Sequence, residues 1–364
     1  MSFNVTFEKI RCRLFDCLGF RNLFIGIVFF NFMDVEDRER ISRKNLLRGS
    51  EDVHGNVIRG YDFNEGVDYG KLVRSFKDMG FQASALSRAI EIVRKMIDEK
   101  VFIFFGYTSN MASSGLRDMI RYLVEHNKIG VIVTTAGGIE EDIIKCLGDF
   151  VLGDFRAPGK ILREKGINRI GNIYAPNSRY VAFEGFLQPI LEELWKEHTN
   201  GEKAVCASDL VWRLGERINH KDSICYWAWK NKIRIFCPAL MDGALGDNVY
   251  FFGFKKPDFK IDIVEDARRL NDMTIGLEKS GVIILGGGVV KHSILNANML
   301  RNGAEYGVYI NTSQEYDGSD SGALPDEAVS WGKLVSDGEH VKVFADATIV
   351  FPLLVAETFA RSTA

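Results

Sequence analysis

Between residues 315 and 333 the chain reads EYDGSDSGALPDEAVSWGK, in which Glu315, Asp317, Asp320, Asp326 and Glu327 precede Trp331 and Lys333 with no other base among them. Carboxylates held that close raise one another's pKa unless a cation relieves them. The stretch therefore predicts a pocket for a positively charged ligand, and a polyamine is such a cation. Trp331 adds an aromatic face that attracts ammonium groups. Lys333 is the residue type that forms a Schiff base when burial keeps part of it unprotonated. Nearby negative charge works against that, raising a lysine pKa while desolvation lowers it. A reactive Lys333 thus needs the acids to be occupied by bound substrate cations. The same residues also read as a solvated acidic loop ahead of a helix.

The elements that must position this stretch follow from periodicity. Leu86, Ala89, Ile90, Val93, Met96 and Ile97 recur at helical spacing, and residues 101–105 form a continuous apolar run suited to a buried parallel strand. Further strands are expected at residues 130–134, 233–237, 281–285, 306–310 and 341–345. Helices are expected at 116–124, 183–195, 266–277 and 294–301. This alternation predicts an α/β fold, a Rossmann-like parallel sheet with helices on both faces. Three strands run into small or glycine turns, GYTSN, AGG and GGG. Such turns aim backbone N–H groups at a pyrophosphate beyond the carboxyl ends of strands. No strict GxGxxG occurs, and by spacing alone each reads more readily as an ordinary tight turn than as a cofactor site.

With 364 residues, 46% hydrophobic and 26% charged, the chain has the composition of a globular protein able to bury a large core. A net charge of -3 argues against nucleic acid as a partner. The six cysteines, Cys12, Cys17, Cys146, Cys206, Cys225 and Cys237, show no CxxC pair and no grouping with histidine at zinc spacing. No metal site is expected, and the thiols read as reduced core residues of a cytoplasmic protein.

The segments GYTSNMASSGLRD, VTTAGGIEEDIIKCL, KGINRIGNIYAPN, CPALMDGALGD, DIVEDARRLN, ILGGGVVKHSILNANMLRNGAEYGVYINT and FADATIVFPLLVAETFA, together with the acidic stretch, closely resemble deoxyhypusine synthases from about residue 59 to residue 359. The resemblance implies NAD as cofactor, bound by Ser109, Asn110, Thr135, Ala136, Gly137, Glu141, Asp242, Gly286, Gly287, Thr312, Ser313, Asp317, Asp346 and Ala347. Glu141 or Asp346 is the acid expected on a ribose hydroxyl, where it would also repel the extra phosphate of NADP. Asp247, Asp320 and Glu327 match the polyamine-binding acids, with Asn296 and the tunnel-lining Trp331. His292 matches the position of a base or proton relay, on one helix face with Asn296. Lys333 matches the Schiff-base lysine. The implied reaction moves the aminobutyl group of spermidine to one lysine of the precursor of eukaryotic translation initiation factor 5A. The implied assembly is a homotetramer with active sites between paired subunits. Leu324 and Ser293 stand where many members carry a basic residue and a second histidine, and neither removes a group the reaction needs.

Residues 1–58 are expected to be an N-terminal extension and flexible arm, and 59–364 the catalytic domain. Phe7, Ile10, Leu14 and Leu18 predict an amphipathic helix over residues 5–18. The apolar run 23–33 is too short to span a membrane, and no small-residue cleavage site follows it. A start upstream of the natural one at Met33, a docking helix and a weak membrane anchor all remain open for this extension; residues 34–58, charged and aperiodic, read as an arm. Three rivals share the resemblance or the turns: homospermidine synthase with putrescine as acceptor, a non-catalytic regulatory paralogue, and a plain NAD-dependent dehydrogenase. The last leaves Lys333 and the acids without a purpose.

Overall fold

The computed structural model describes residues 34–199 and 205–361. Its centre is one wholly parallel sheet of β1 (Phe102–Tyr107), β2 (Val131–Thr134), β3 (Arg234–Phe236), β4 (Ser280–Leu285), β5 (Ala304–Asn311) and β6 (Leu334–Phe344). Ile103, Phe105, Ile132, Ile235, Ile283 and Ile310 face one core, while the alternating neighbours Phe104, Val131, Val133, Phe236, Val282, Ile284 and Tyr309 face the other. A strand buried on both sides must be apolar at every position, which is why the sequence shows unbroken runs. The first core packs against helices Phe81–Asp98, Leu116–Glu125, Ala136–Leu147, Asn177–Thr199 and Ala347–Glu357. The second packs against Ile263–Asp272, Gly288–Met299 and Pro325–Ser330.

The strand order is β6-β5-β4-β1-β2-β3. The chain builds outward from β1 through β3, then returns to lay β4 on the other side of β1. That reversal opens a crevice between the carboxyl ends of β1 and β4, the place where doubly wound sheets bind dinucleotides. Each expected strand overlaps an observed one, but β6 starts at Leu334, well before the expected 341. It is an edge strand with polar, half-exposed positions, so its first half carries no apolar signal.

The contacts divide the chain into Met1–Gly55 and Asn56–Ala364. Within the first unit, helix Val35–Leu46 stands where the sequence predicts an arm without regular structure. It buries no residue, so core-facing periodicity is absent. Its support is local: Asp34 accepts from Val35 N, Glu36 and Asp37 lie in the first turn and Arg43 and Lys44 in the last, and Arg43 pairs with Glu39 at 2.8 Å. The expected helix over 5–18 and the run 23–33 lie outside the described residues. No described helix is long and apolar enough to cross a membrane. No disulfide joins Cys146, Cys206, Cys225 or Cys237, and burial pushes the thiols of Cys146, Cys206 and Cys237 up to about 12.

Three helices on the first face meet at Asp142. Its buried carboxylate accepts from Arg117 Nε at 2.7 Å, Ser223 Oγ at 2.7 Å and the backbone N–H groups of Ile224 and Cys225 at 3.0 Å each. Arg117 is itself buried. Asp142→Ala leaves that guanidinium and the start of helix Ile224–Lys230 unpaired. The expected loss is about 3 to 5 kcal/mol of stability, measured by urea unfolding; a loss below about 1 kcal/mol would refute this role.

Candidate functional site

The loops leaving β1, β2, β4, β5 and β6 all emerge at the carboxyl edge of the sheet. They carry Ser109 and Asn110, Thr135, Ala136 and Gly137, Gly286 and Gly287, Thr312 and Ser313, and Asp346 and Ala347 in turn. At the crevice the backbone is bare by necessity. Gly286 sits at φ +93°, and a Cβ there would lie 2.5 Å from Thr108 Oγ1. A Cβ on Gly287 would lie 2.5 Å from Ser321 Cα. Asn311 fixes the facing turn, donating from Nδ2 to Gly286 O at 2.9 Å and accepting from Ser313 N at 3.1 Å. Beside them Thr135 Oγ1 is buried with no hydrogen-bond partner among the described residues, a cost normally tolerated where a ligand completes the bond.

The acids on this edge differ in state. Glu141 is buried, its Oε2 accepts from the Ser113 hydroxyl, and burial raises it to about 7 against that bond, with the Glu140 charge adding to the rise. Asp317 is held below the usual carboxylate range by bonds from the Ser319 side chain and backbone. Asp346 is exposed and caps helix Ala347–Glu357, accepting from Thr348 N at 2.8 Å. Asp242 is exposed in the turn ahead of helix Ala244–Gly253.

The acidic stretch folds over the other end of the crevice. Lys333, 8% exposed, is pinned between helix Pro325–Ser330 and β5: its N–H donates to Ala328 O at 2.9 Å and its carbonyl accepts from Ala304 N at 3.1 Å. Its Nζ lies 5.4 Å from the Trp331 ring centroid and makes no hydrogen bond or ion pair among the described residues. Asp320 Oδ1 stands 3.5 Å from His292 Nδ1, and its Oδ2 is buried without a hydrogen-bond partner among the described residues. That oxygen is an acceptor of the kind an ammonium group would meet.

The sequence places no base among the five acids, and their relief falls to bound substrate alone. The fold corrects this by bringing two lysines from other elements. Lys291, at 1% exposure, donates to Asp320 O at 2.5 Å and Ala323 O at 3.0 Å. Lys342 donates to Ser313 O at 2.6 Å and Gly322 O at 2.5 Å. Burial holds both below the usual lysine range, opposed by the charge of Asp320 at Lys291 and of Glu315 at Lys342. A lysine inside the otherwise apolar VKVF of β6, and one next to His292, were the sequence signals available for them.

The expected residues do not form one enclosed group. Asp247 keeps company with Glu140 and Asp242: Glu140 is buried, accepts from Leu245 N at 2.6 Å, and is raised by burial with the charges of Asp247 and Asp242 adding to the rise. No hydrogen bond or ion pair joins that group to Lys333. Asn296 lies four residues after His292, yet with Ser293 it lines a neighbouring cavity of about 420 Å3 beneath Phe236, Pro238 and helix Ile263–Asp272, while His292 meets Asp320. Asp247, Glu327 and Trp331 are all exposed, Trp331 at 63%.

A doubly wound sheet with bare backbone at its switch point, next to a buried lysine and carboxylates, defines an α/β enzyme of dinucleotide-fold architecture. The deoxyhypusine synthase family model matches residues 71–358. The chain is 51% identical to a deoxyhypusine synthase of Arabidopsis thaliana over 344 residues, covering 86% of this chain and 94% of the relative. It is 51% identical to one of Neurospora crassa, covering 84% and 91%. A crystal structure assigned to this enzyme from Entamoeba histolytica superposes with a TM-score of 0.63 at 37% identity, over 83% of this chain and 97% of the other. The chain belongs to the deoxyhypusine synthase family, whose named activity is that of a transferase.

Glu141 also gives a pH test. Its folded pKa of about 7 lies above the ordinary 4.5, so between those values the folded chain keeps a proton the unfolded chain releases. Stability therefore falls as pH rises through that window, by up to about 3 kcal/mol. Glu141→Gln is expected to lack this fall, so urea midpoints at pH 5 and pH 8 should converge in the variant; parallel profiles for both proteins would sink the assignment.

Proposed function

We propose that this chain transfers the aminobutyl group of spermidine to the ε-amino group of one lysine in the precursor of eukaryotic translation initiation factor 5A, with NAD as cofactor. The observation that carries the reading is the buried Lys333 beside Trp331, with the unpartnered Asp320 oxygen on the same stretch. Family membership supports the substrates. The reaction has a cytoplasmic setting in this reading.

The residues on the carboxyl edge fit a dinucleotide. At the Gly286 and Gly287 turns a Cβ would collide with Thr108 and Ser321, so the backbone stays bare, and the Thr135 hydroxyl lacks a partner among the described residues. Ser109, Asn110, Ala136, Gly137, Asp242, Thr312, Ser313, Asp317, Asp346 and Ala347 border the same edge or its adjoining loops. When bound, NAD supplies the hydride chemistry at the carbon beside the secondary amine, which no side chain can perform. Glu141 is the poorer ribose acceptor of the two acids while it is protonated, and Asp346, with one oxygen left beyond its cap, the better.

Asp320, Glu327 and Asp247 hold the ammonium groups of the polyamine, and Trp331 and Asn296 line its path. His292, 3.5 Å from Asp320, is placed to move the proton that the secondary amine releases or takes. Lys333 attacks the oxidised carbon and displaces 1,3-diaminopropane, so that the fragment is held as an imine on Nζ. The acceptor lysine then displaces Lys333 in the same manner, and return of the hydride taken at the start would convert the new imine to the secondary amine with no net oxidation. Because Asp247, Glu327 and Trp331 stand open on a single chain, the site reads as completed between paired subunits of a homotetramer.

Borohydride added with spermidine and NAD is expected to fix an aminobutyl group on Lys333, mapped by mass spectrometry. Lys333→Arg keeps the charge and loses the nucleophile, so an adduct persisting there would overturn the assignment. Asp320→Asn is expected to weaken spermidine binding by about 3 kcal/mol or more with NAD binding kept; the reverse outcome in calorimetry would mean that the two pockets have been exchanged.

A further inference from the structure

Loop 313–323 joins the two halves of the site, with Ser313 and Asp317 on the cofactor side and Asp320 beside His292. Apart from the turn Glu315–Asp317 it has no regular structure, so its carbonyls lack ladder partners. Four of them are taken by the two lysines: Asp320 and Ala323 by Lys291, Ser313 and Gly322 by Lys342. Lys291 Nζ also lies 4.8 Å from the Tyr309 ring centroid, so two carbonyls and an aromatic face surround it. Because His292 follows Lys291, one turn of helix Gly288–Met299 takes the Asp320 carbonyl and stands 3.5 Å from its carboxylate. Lys342 comes from β6, a different element. Both cations bind neutral carbonyls, and neither forms an ion pair among the described residues. Their charge is thus left to act on the surrounding acids, a costly arrangement for a lysine of merely structural use.

We propose that Lys291 and Lys342 are positioning residues that clamp loop 313–323, presenting Asp320 to the polyamine and Ser313 and Asp317 to the dinucleotide. The inference rests on the functional reading above. It couples the two pockets through one loop.

The test compares the full-length enzyme with Lys291→Met, Lys342→Met and Lys342→Arg. In Lys291→Met the spermidine KM should rise about tenfold or more with kcat within about threefold, and amides 313–323 alone should exchange hydrogen faster. In Lys342→Met NAD titration should show a similar loss of affinity, and Lys342→Arg, whose guanidinium reaches the same carbonyls, should stay near wild type. Unchanged exchange in the loop would overturn the clamp. Faster exchange throughout the domain would make Lys291 an ordinary core residue, and a fall in kcat at constant KM would place it in the chemistry; either result refutes the proposal. Should Lys291→Met fail to fold, the Lys342 pair decides. If the wild type forms no Lys333 adduct, the functional reading fails while loop exchange still reports on the clamp.

Discussion

Strands buried on both faces confine polar chemistry to the ends of the sheet, because any polar side chain along their length would face one of two apolar cores. Here that constraint acts on the four inner parallel strands β1, β2, β4 and β5 at once. Parallel pairing brings all the carboxyl ends to one edge, and the reversal between β1 and β4 leaves a gap in the helical cover at that edge. The glycine turns, the Thr135 hydroxyl and the caps of the following helices are what remains there to meet a ligand. Their proximity is a consequence of strand direction.

The second constraint is charge. A loop with several carboxylates is unstable as a folded object unless cations are close, and the fold answers with lysines that donate to carbonyls instead of pairing with the acids. Direct ion pairs would have neutralised the carboxylates and blocked them as acceptors for ammonium groups. Carbonyl binding keeps the positive charge near and the carboxylate oxygens available, as the unpartnered Asp320 Oδ2 illustrates. Lys333 stands apart from both arrangements: its stem is buried, yet its amine has no acceptor among the described residues.

Asp142 and Glu141, neighbours on one helix, show how environment separates the roles of identical chemistry. Asp142 receives an arginine, a hydroxyl and two backbone donors and acts as a structural anchor. Glu141 receives one hydroxyl and little else, so burial dominates and the proton is retained to near neutrality. Nothing in the letters EED predicts that division.

The sequence by itself determined the parallel α/β class, since unbroken apolar runs between amphipathic helices have no other use than a doubly covered sheet. It also determined the family, through long motifs that need no structure to be read, and it marked Lys333 as the nucleophile type among acids. It missed helix Val35–Leu46, whose support is capping and charge pairing without a buried face, and the first half of β6, an edge strand without apolar contrast. Only the tertiary structure decided which bases balance the acidic stretch, because Lys291 and Lys342 approach it from elements that crossover connections bring together. It likewise decided that Asp247 groups with Glu140, that Asn296 and His292 look into different spaces, and that Trp331 stands open on a single chain. Spacing along a helix or strand reports neighbours within a turn or a pleat; contacts made across crossovers depend on how whole elements pack, and that information is distributed over the two cores.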